Sequence, residues 1–280
     1  MKIEVSTEIK NACPQFAGIA IAAKVKNTPY CEALWQKIDE FTVRYREMYT
    51  TDSIKDMVTI RATREAYKKC GKDPSRYRPS GEALCRRILR GIPLYQIDTL
   101  VDLINLVSIR FGYSIGGFDA DKFEGDTLTL GIGKADEPYE GIGRGMLNIE
   151  GMPVYRDAIG GVGTPTSDNE RTKLGLDTTR LFTIINGYSG KEGLREAADY
   201  MVELIKEFAS AEDVELIEFE KYGCRKDFNR RRVLQESQCA KIEGRKGEDQ
   251  GQKENLYHGS SWLGCGQDEG GNPQEACQST

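Results

Sequence analysis

Carboxylates, hydroxyls, lysines and arginines must carry whatever chemistry this chain performs, because histidine is almost absent from it. Of 280 residues the one histidine is His258, which lies in a polar C-terminal stretch. A three-histidine zinc site, a Ser-His-Asp triad and a Cys-His dyad are therefore excluded from residues 1–223. The eight cysteines, Cys13, Cys31, Cys70, Cys85, Cys224, Cys239, Cys265 and Cys277, contain no Cys-x-x-Cys pair. Neither a zinc knuckle nor a thioredoxin-like motif is expected, and no metal or cofactor is implied. Met1-Lys2-Ile3-Glu4 opens no apolar run, so no signal peptide is expected. The cysteines are accordingly expected as reduced thiols in a cytoplasmic protein, with Cys85 as a small buried residue.

Three glycine-rich segments could place backbone against a ligand. Gly116-Gly117-Phe118-Asp119 follows the end of a helix; its adjacent glycines suit a ligand wall or a strained turn between helix and sheet. Gly160-Gly161-Val162-Gly163-Thr164-Pro165-Thr166 lacks the Gly-Lys-Ser/Thr of a phosphate loop. Gly141-Ile142-Gly143-Arg144-Gly145 does not fit the dinucleotide fingerprint and has no helix behind it. Both read more simply as loops. Arg78, Arg86, Arg87 and Arg90, near Lys68, Lys69 and Lys72, form a basic cluster on and around one helix. Such a cluster is either a phosphate-binding footprint or a solvated face.

The elements that would hold these residues can be read from periodicity. Phe16–Val25 reads as a strand of small and apolar residues. Tyr30–Tyr49 reads as a helix carrying Leu34, Ile38, Phe41 and Tyr45, and Ile54–Cys70 as a second, stopped by Gly71 and Pro74. Ser80 is the expected N-cap of a helix ending at Gly91, and Asp98 or Thr99 opens another that ends at Gly112. Asp126–Ile132, Met146–Ile149, Pro153–Arg156, Thr179–Asn186 and Val214–Phe219 read as strands, with a tight turn at Glu150-Gly151 and a loop over Ala158–Asn169. Leu194–Phe208 is a strongly amphipathic helix. Helices cluster before residue 112 and strands after it, an α+β signature.

The length allows one large domain or two modest ones. Lys and Arg total 39 against 44 Asp and Glu, a net charge of −5, so a broadly basic nucleic-acid coat is excluded. No apolar run approaches a membrane span. Apolar periodicity ends near residue 223; the remainder is rich in Gly, Gln, Glu, Ser and Asn and cannot bury enough surface to fold. The expected organisation is one domain over 1–223 and a disordered or non-native tail over 224–280.

An ordered series of short motifs carries a resemblance. Arg78-Pro79-Ser80-Gly81-Glu82-Ala83-Leu84-Cys85-Arg86-Arg87 is followed by Leu100-Val101-Asp102-Leu103-Ile104-Asn105-Leu106-Val107-Ser108 and by Gly116-Gly117-Phe118-Asp119-Ala120-Asp121-Lys122. Val154-Tyr155-Arg156-Asp157, Glu170-Arg171-Thr172-Lys173 and Asp177-Thr178-Thr179 continue it. The series closely resembles stand-alone B3/B4-domain proteins, relatives of the editing region of the phenylalanyl-tRNA synthetase beta subunit, over about residues 10–220.

The resemblance implies an α+β fold, a mixed or antiparallel sheet flanked by helices. It also implies a pocket for the misacylated 3′ end of tRNA, where an aminoacyl ester is hydrolysed in trans without a cofactor. By the same resemblance Asp119, Asp157 and Thr178 are the catalytic candidates. Asn105, Gly116, Gly117, Phe118, Tyr155, Gly161, Thr164 and Thr179 are the substrate-binding candidates, and Arg78, Arg86, Arg87 and Arg90 those for RNA. Where the synthetase editing site has a histidine before its Ala-Phe-Asp, this chain has Gly117. Where a glutamate reads the tyrosine hydroxyl, it has apolar or small residues around Thr183–Ile185. A tyrosyl substrate is thus disfavoured, since preference for a hydroxyl needs a placed polar partner. Ester hydrolysis through a water assisted by the terminal ribose hydroxyl remains open to it, as do a silent RNA-binding module and an amino-acid-binding protein using the same pocket.

Overall fold

The computed structural model describes residues 1–220; the boundary expected at 223 and the tail 224–280 lie outside them. In chain order the elements are β1 (Lys2–Val5), α1 (Thr7–Ala12), β2 (Ala17–Lys24), α2 (Glu32–Met48), α3 (Val58–Lys69), α4 (Ser80–Leu89), α5 (Thr99–Phe111), β3 (Ile115–Asp119), β4 (Thr127–Ile132), β5 (Glu140–Gly141), β6 (Gly145–Met146), β7 (Pro153–Arg156), β8 (Gly161–Gly163), β9 (Arg180–Gly187), α6 (Leu194–Phe208) and β10 (Glu212–Glu220).

The strands form two four-stranded sheets. One, in the order β1-β4-β7-β8, is mixed, with β1 parallel to β4; the other, β10-β2-β9-β3, is antiparallel throughout. The protein is α+β, with a mixed and an antiparallel sheet flanked by helices. Ile3, Leu128, Leu130 and Tyr155 of the mixed sheet pack against Phe118, Phe182, Ile184 and Phe219 of the antiparallel one. The opposite face of the antiparallel sheet, through Ile19, Ile21, Leu181 and Ile185, packs on α2, α5 and α6. Because this sheet is covered on both faces, β2 and β9 read as nearly continuous apolar runs and not as alternating ones. A further cluster, Tyr45, Ile54, Ile60, Cys85, Ile88 and Ile109, joins α2 through α5.

Several boundaries follow the sequence closely. Asp98 caps α5, its side chain accepting the Val101 N–H, and Gly112 ends that helix in the left-handed region at φ +71°. Others differ. The Gly116-Gly117 pair is not a turn: it lies inside β3, paired with Ile184 and Thr183 of β9. Its glycines answer to space, since a Cβ on Gly116 would stand 2.7 Å from the Phe118 ring and one on Gly117 would stand 2.6 Å from Ile104 Cδ1. Pro79, not Ser80, is the N-cap of α4. The loop expected over 158–169 contains β8, and only Met146 of the expected 146–149 strand is paired, together with Gly145 before it. The 54–70 helix is broken at Met57 into a short 3-10 turn and α3. β1 and α1, too short to leave a periodic signal, were not legible.

Candidate functional site

The two sheets end near each other in edge strands, β3 of the antiparallel sheet and β8 of the mixed one. The segment after β8 runs between them. Asp168 bridges back to Gly163, while its carboxylate Oδ2 accepts the Gly117 N–H from β3 at 3.0 Å. A cavity of about 400 Å³ opens at this junction. One wall is aliphatic: Ile97, Val101 and Ile104 at and on α5, Ile115 on β3, and Leu174. The other is polar: Ser80 at the start of α4, then Thr164, Ser167 and Asp168, with Asn105, Lys173, Gly117 and Ile142 completing the lining.

The polar wall is held from several directions. Thr164 Oγ1 accepts the N–H groups of Thr166 and Ser167 and donates to the Ser167 carbonyl. Tyr139 donates to that same carbonyl at 2.7 Å, and Tyr67 shares a 2.8 Å hydrogen bond with Thr166. Ser80 N–H reaches the Pro165 carbonyl and Ile142 N–H the Asp168 carbonyl. The apolar wall is set by Asn27, whose Oδ1 accepts the Leu100 N–H while its Nδ2 donates to the Gly175 carbonyl. Asp102 fixes the approach to α5 by accepting from Ile97 N–H and Trp35 Nε1.

Asp168 is electrostatically unusual. Burial pushes its carboxyl up to about 7, against the opposing effect of the Gly117 N–H. Lys173, the cavity's cation, is exposed and paired with Glu170. A carboxylate that titrates near neutrality can accept a proton from water and release it again. Nothing in the sequence marks Asp168, since an aspartate within Thr-Pro-Thr-Ser-Asp-Asn is the ordinary chemistry of a turn. Its signal was in the tertiary structure, in the junction of two sheet edges.

The three catalytic candidates are spent elsewhere. Asp119 accepts the Thr178 hydroxyl at 3.0 Å and the Asp121 N–H, and lies 3.3 Å from Lys122 Nζ. Thr178 in turn accepts the Gly175 N–H, so the pair shapes the turn that carries Lys173 and Leu174. For Asp157, burial alone would raise the carboxyl, but Arg171 at 2.9 Å and the N–H groups of Glu124 and Ile159 hold it below the usual range. None of the three lines the cavity.

Of the substrate-binding candidates, Asn105, Gly117 and Thr164 meet there; Gly116 adjoins them, within 3.4 Å of Asp168 Oδ1 from the place its Cβ would take. Phe118 packs between the sheets against Phe123, Tyr155 is buried and donates to Asn186, Gly161 lies under the Tyr139 ring, and Thr179 is exposed. Thr183, in the stretch expected to carry no tyrosine-reading carboxylate, is fully buried beside Gly117, its hydroxyl without a partner.

The four arginines of the cluster are divided among different partners. Arg86 and Arg64 clamp the buried Glu82 at 2.8 and 2.9 Å, with Arg78 at 3.7 Å. Arg87 lies over the Tyr95 ring and donates to its hydroxyl. Arg90 is exposed at the end of α4. A larger cavity, about 570 Å³, lies elsewhere, but its rim carries the exposed ion pairs Lys24–Asp213 and Arg180–Asp121. Among the described residues no group of three or more His, Cys, Asp or Glu side chains is gathered to hold a metal, and no helix is long and apolar enough to cross a membrane.

Residues 62–210 match the family described as the B3/4 domain. The chain belongs to that family. The matched span holds the Asp168 cavity entire, from Ser80 to Leu174. The B3/4 domain is also similar to a solved structure, an N-terminal fragment of the phenylalanyl-tRNA synthetase beta subunit from Pyrococcus horikoshii, at 15% identity and a TM-score of 0.41. That similarity covers 78% of this chain and 54% of the other, so the chain spans about half the length of that fragment. No curated protein matches this chain.

Proposed function

We propose that this B3/4 domain takes the aminoacylated 3′ end of a tRNA into the Asp168 cavity and hydrolyses the aminoacyl ester. The observation that carries the reading is the Asp168 carboxylate, half-buried at the junction of the two sheet edges and held by one backbone N–H in a cavity with an aliphatic wall. Family membership supports the substrate class. Asp168 accepts a proton from a water as its oxygen bonds to the ester carbonyl carbon. The tetrahedral intermediate then collapses with cleavage of the bond to the ribose oxygen, and the proton passes to that oxygen as it leaves. The products are the free amino acid and the deacylated tRNA. The neighbouring ribose hydroxyl holds the water.

The test is deacylation of a panel of aminoacyl-tRNAs by the full chain and by Asp168→Asn. Loss of one positioned general base costs about 10²–10⁴-fold in rate. An Asp168→Asn variant that turns over at the wild-type rate removes Asp168 from the chemistry. Salt-dependent tRNA binding by the wild type without turnover of any substrate selects the silent RNA-binding reading.

A further inference from the structure

The cavity is two-faced, and its two faces make different demands on what enters. Its polar wall is a single pinned segment, Thr164 to Asp168, with Ser80 beside it through the Ser80–Pro165 hydrogen bond. Its opposite wall is built from Val101, Ile104, Ile115 and Leu174. That wall contains no aromatic ring on which another ring could stack, and its β-branched members are stiff about χ1. The aliphatic surface continues outward. Ile97 is 56% exposed and Ile142 40% exposed at the mouth, so an apolar group entering the cavity meets aliphatic side chains from rim to floor.

The floor is set by Gly117. Because residue 117 has no side chain, Ile104 Cδ1 and Leu174 Cδ1 lie over it, 2.6 and 3.1 Å from where a Cβ would be. Asn105, one turn on from Val101 along α5, is the one polar side chain beside this wall; a hydroxyl or charge carried elsewhere along it would lose its water and gain no partner. The ester and α-ammonium belong against the polar wall, where Asp168 and the Ser80 hydroxyl can meet them.

Resting on the function proposed above, we infer that the cleaved amino acid is aliphatic, of the isoleucine, leucine or valine kind. The aliphatic wall is its specificity surface, with Ile104 the residue that sets its depth. Polar amino acids are selected against by desolvation and tyrosine by the absence of a partner for its phenol.

The experiment uses non-hydrolysable probes, 3′-amino-3′-deoxyadenosine carrying an isoleucyl, leucyl, valyl, threonyl, seryl or tyrosyl group in amide linkage, with affinities for the full chain measured by calorimetry. Isoleucyl and leucyl are expected to bind about tenfold or more tighter than seryl, valyl to bind tighter than threonyl by up to about 10²-fold, and tyrosyl no tighter than leucyl. In Val101→Ser, at a half-buried position that tolerates the change, the isoleucyl preference should shrink several-fold. Equal affinities, or seryl or tyrosyl as the tightest probe, overturn the inference and leave the proposed hydrolysis standing. Failure of every probe to bind at millimolar concentration overturns both.

Discussion

A carboxyl lifted to about 7 by burial leaves marks on stability as well as on rate. Asp168 binds its proton more tightly folded than unfolded, where an aspartate titrates near 3.9. Folding is therefore least hindered below that value and loses stability as pH rises from about 4 to about 7. Asp168→Asn should remove that loss, so the variant melts higher than wild type at pH 8 and alike below pH 4. Deacylation should do the opposite in the wild type, rising through an inflection near 7 and then levelling, since the base works ionised. No histidine in residues 1–220 competes for that inflection. The charged neighbour at the cavity is Lys173, drawn toward Glu170, with Tyr139 behind. A profile without an inflection near 7 would detach Asp168 from turnover. Gly117→Ala tests the floor. Its Cβ displaces the far ends of Ile104 and Leu174, so stability should fall by about 1–3 kcal/mol, while affinity for any cavity ligand should drop at least about tenfold. Equal affinity would show that ligand does not approach β3.

At the scale of elements, α4 is anchored by its own charges. Glu82 is buried at 1% exposure between Arg64 and Arg86, each about one-fifth exposed. Removing one partner of such a group strands the others. Glu82→Gln should cost roughly 2–4 kcal/mol, less than a wholly buried ion pair because the arginines reach water. At about 2–4 °C per kcal/mol for a domain of this size the melting temperature should fall by roughly 4–16 °C. Arg90 belongs to the same helix but faces solvent. Arg90→Ala should leave the melting temperature within about 1 °C and, if α4 meets a phosphate, lower the salt slope of tRNA binding by about one. An unchanged slope assigns Arg90 to a solvated face.

At the scale of the molecule, the antiparallel sheet is the shared wall of both cores. It meets aromatic side chains of the sandwich on one face and helices on the other. Its outer strand β10 runs along β2 from Glu212 to Glu220, and with it the described residues close. We propose that residues 224–280 are dispensable, as their composition demands. Chain ended after Tyr222 should fold with an unchanged melting temperature and retain ligand binding, and limited proteolysis of the full chain should stop near there. A truncated protein that does not fold would assign the tail a structural part.

What the sequence determined by itself was local and cumulative. The 3.6-residue period set α2, α5 and α6 to within a few residues, Asp98 and Gly112 bounded α5 by their own chemistry, and the ordered motifs identified the family. What only tertiary structure decided was which side chains are free. Asp119, Asp157 and Asp168 are equivalent in sequence, each an aspartate near a turn or strand end. Two accept hydroxyl, guanidinium or several N–H groups from residues distant in the chain, and the third accepts one N–H at the meeting of two sheet edges. Likewise four arginines that read as one basic patch became two partners of Glu82, a cover for Tyr95 and one exposed cation. A titratable group's role depends on how many partners and how much water surround it, and those are set by contacts between segments that periodicity and spacing do not encode.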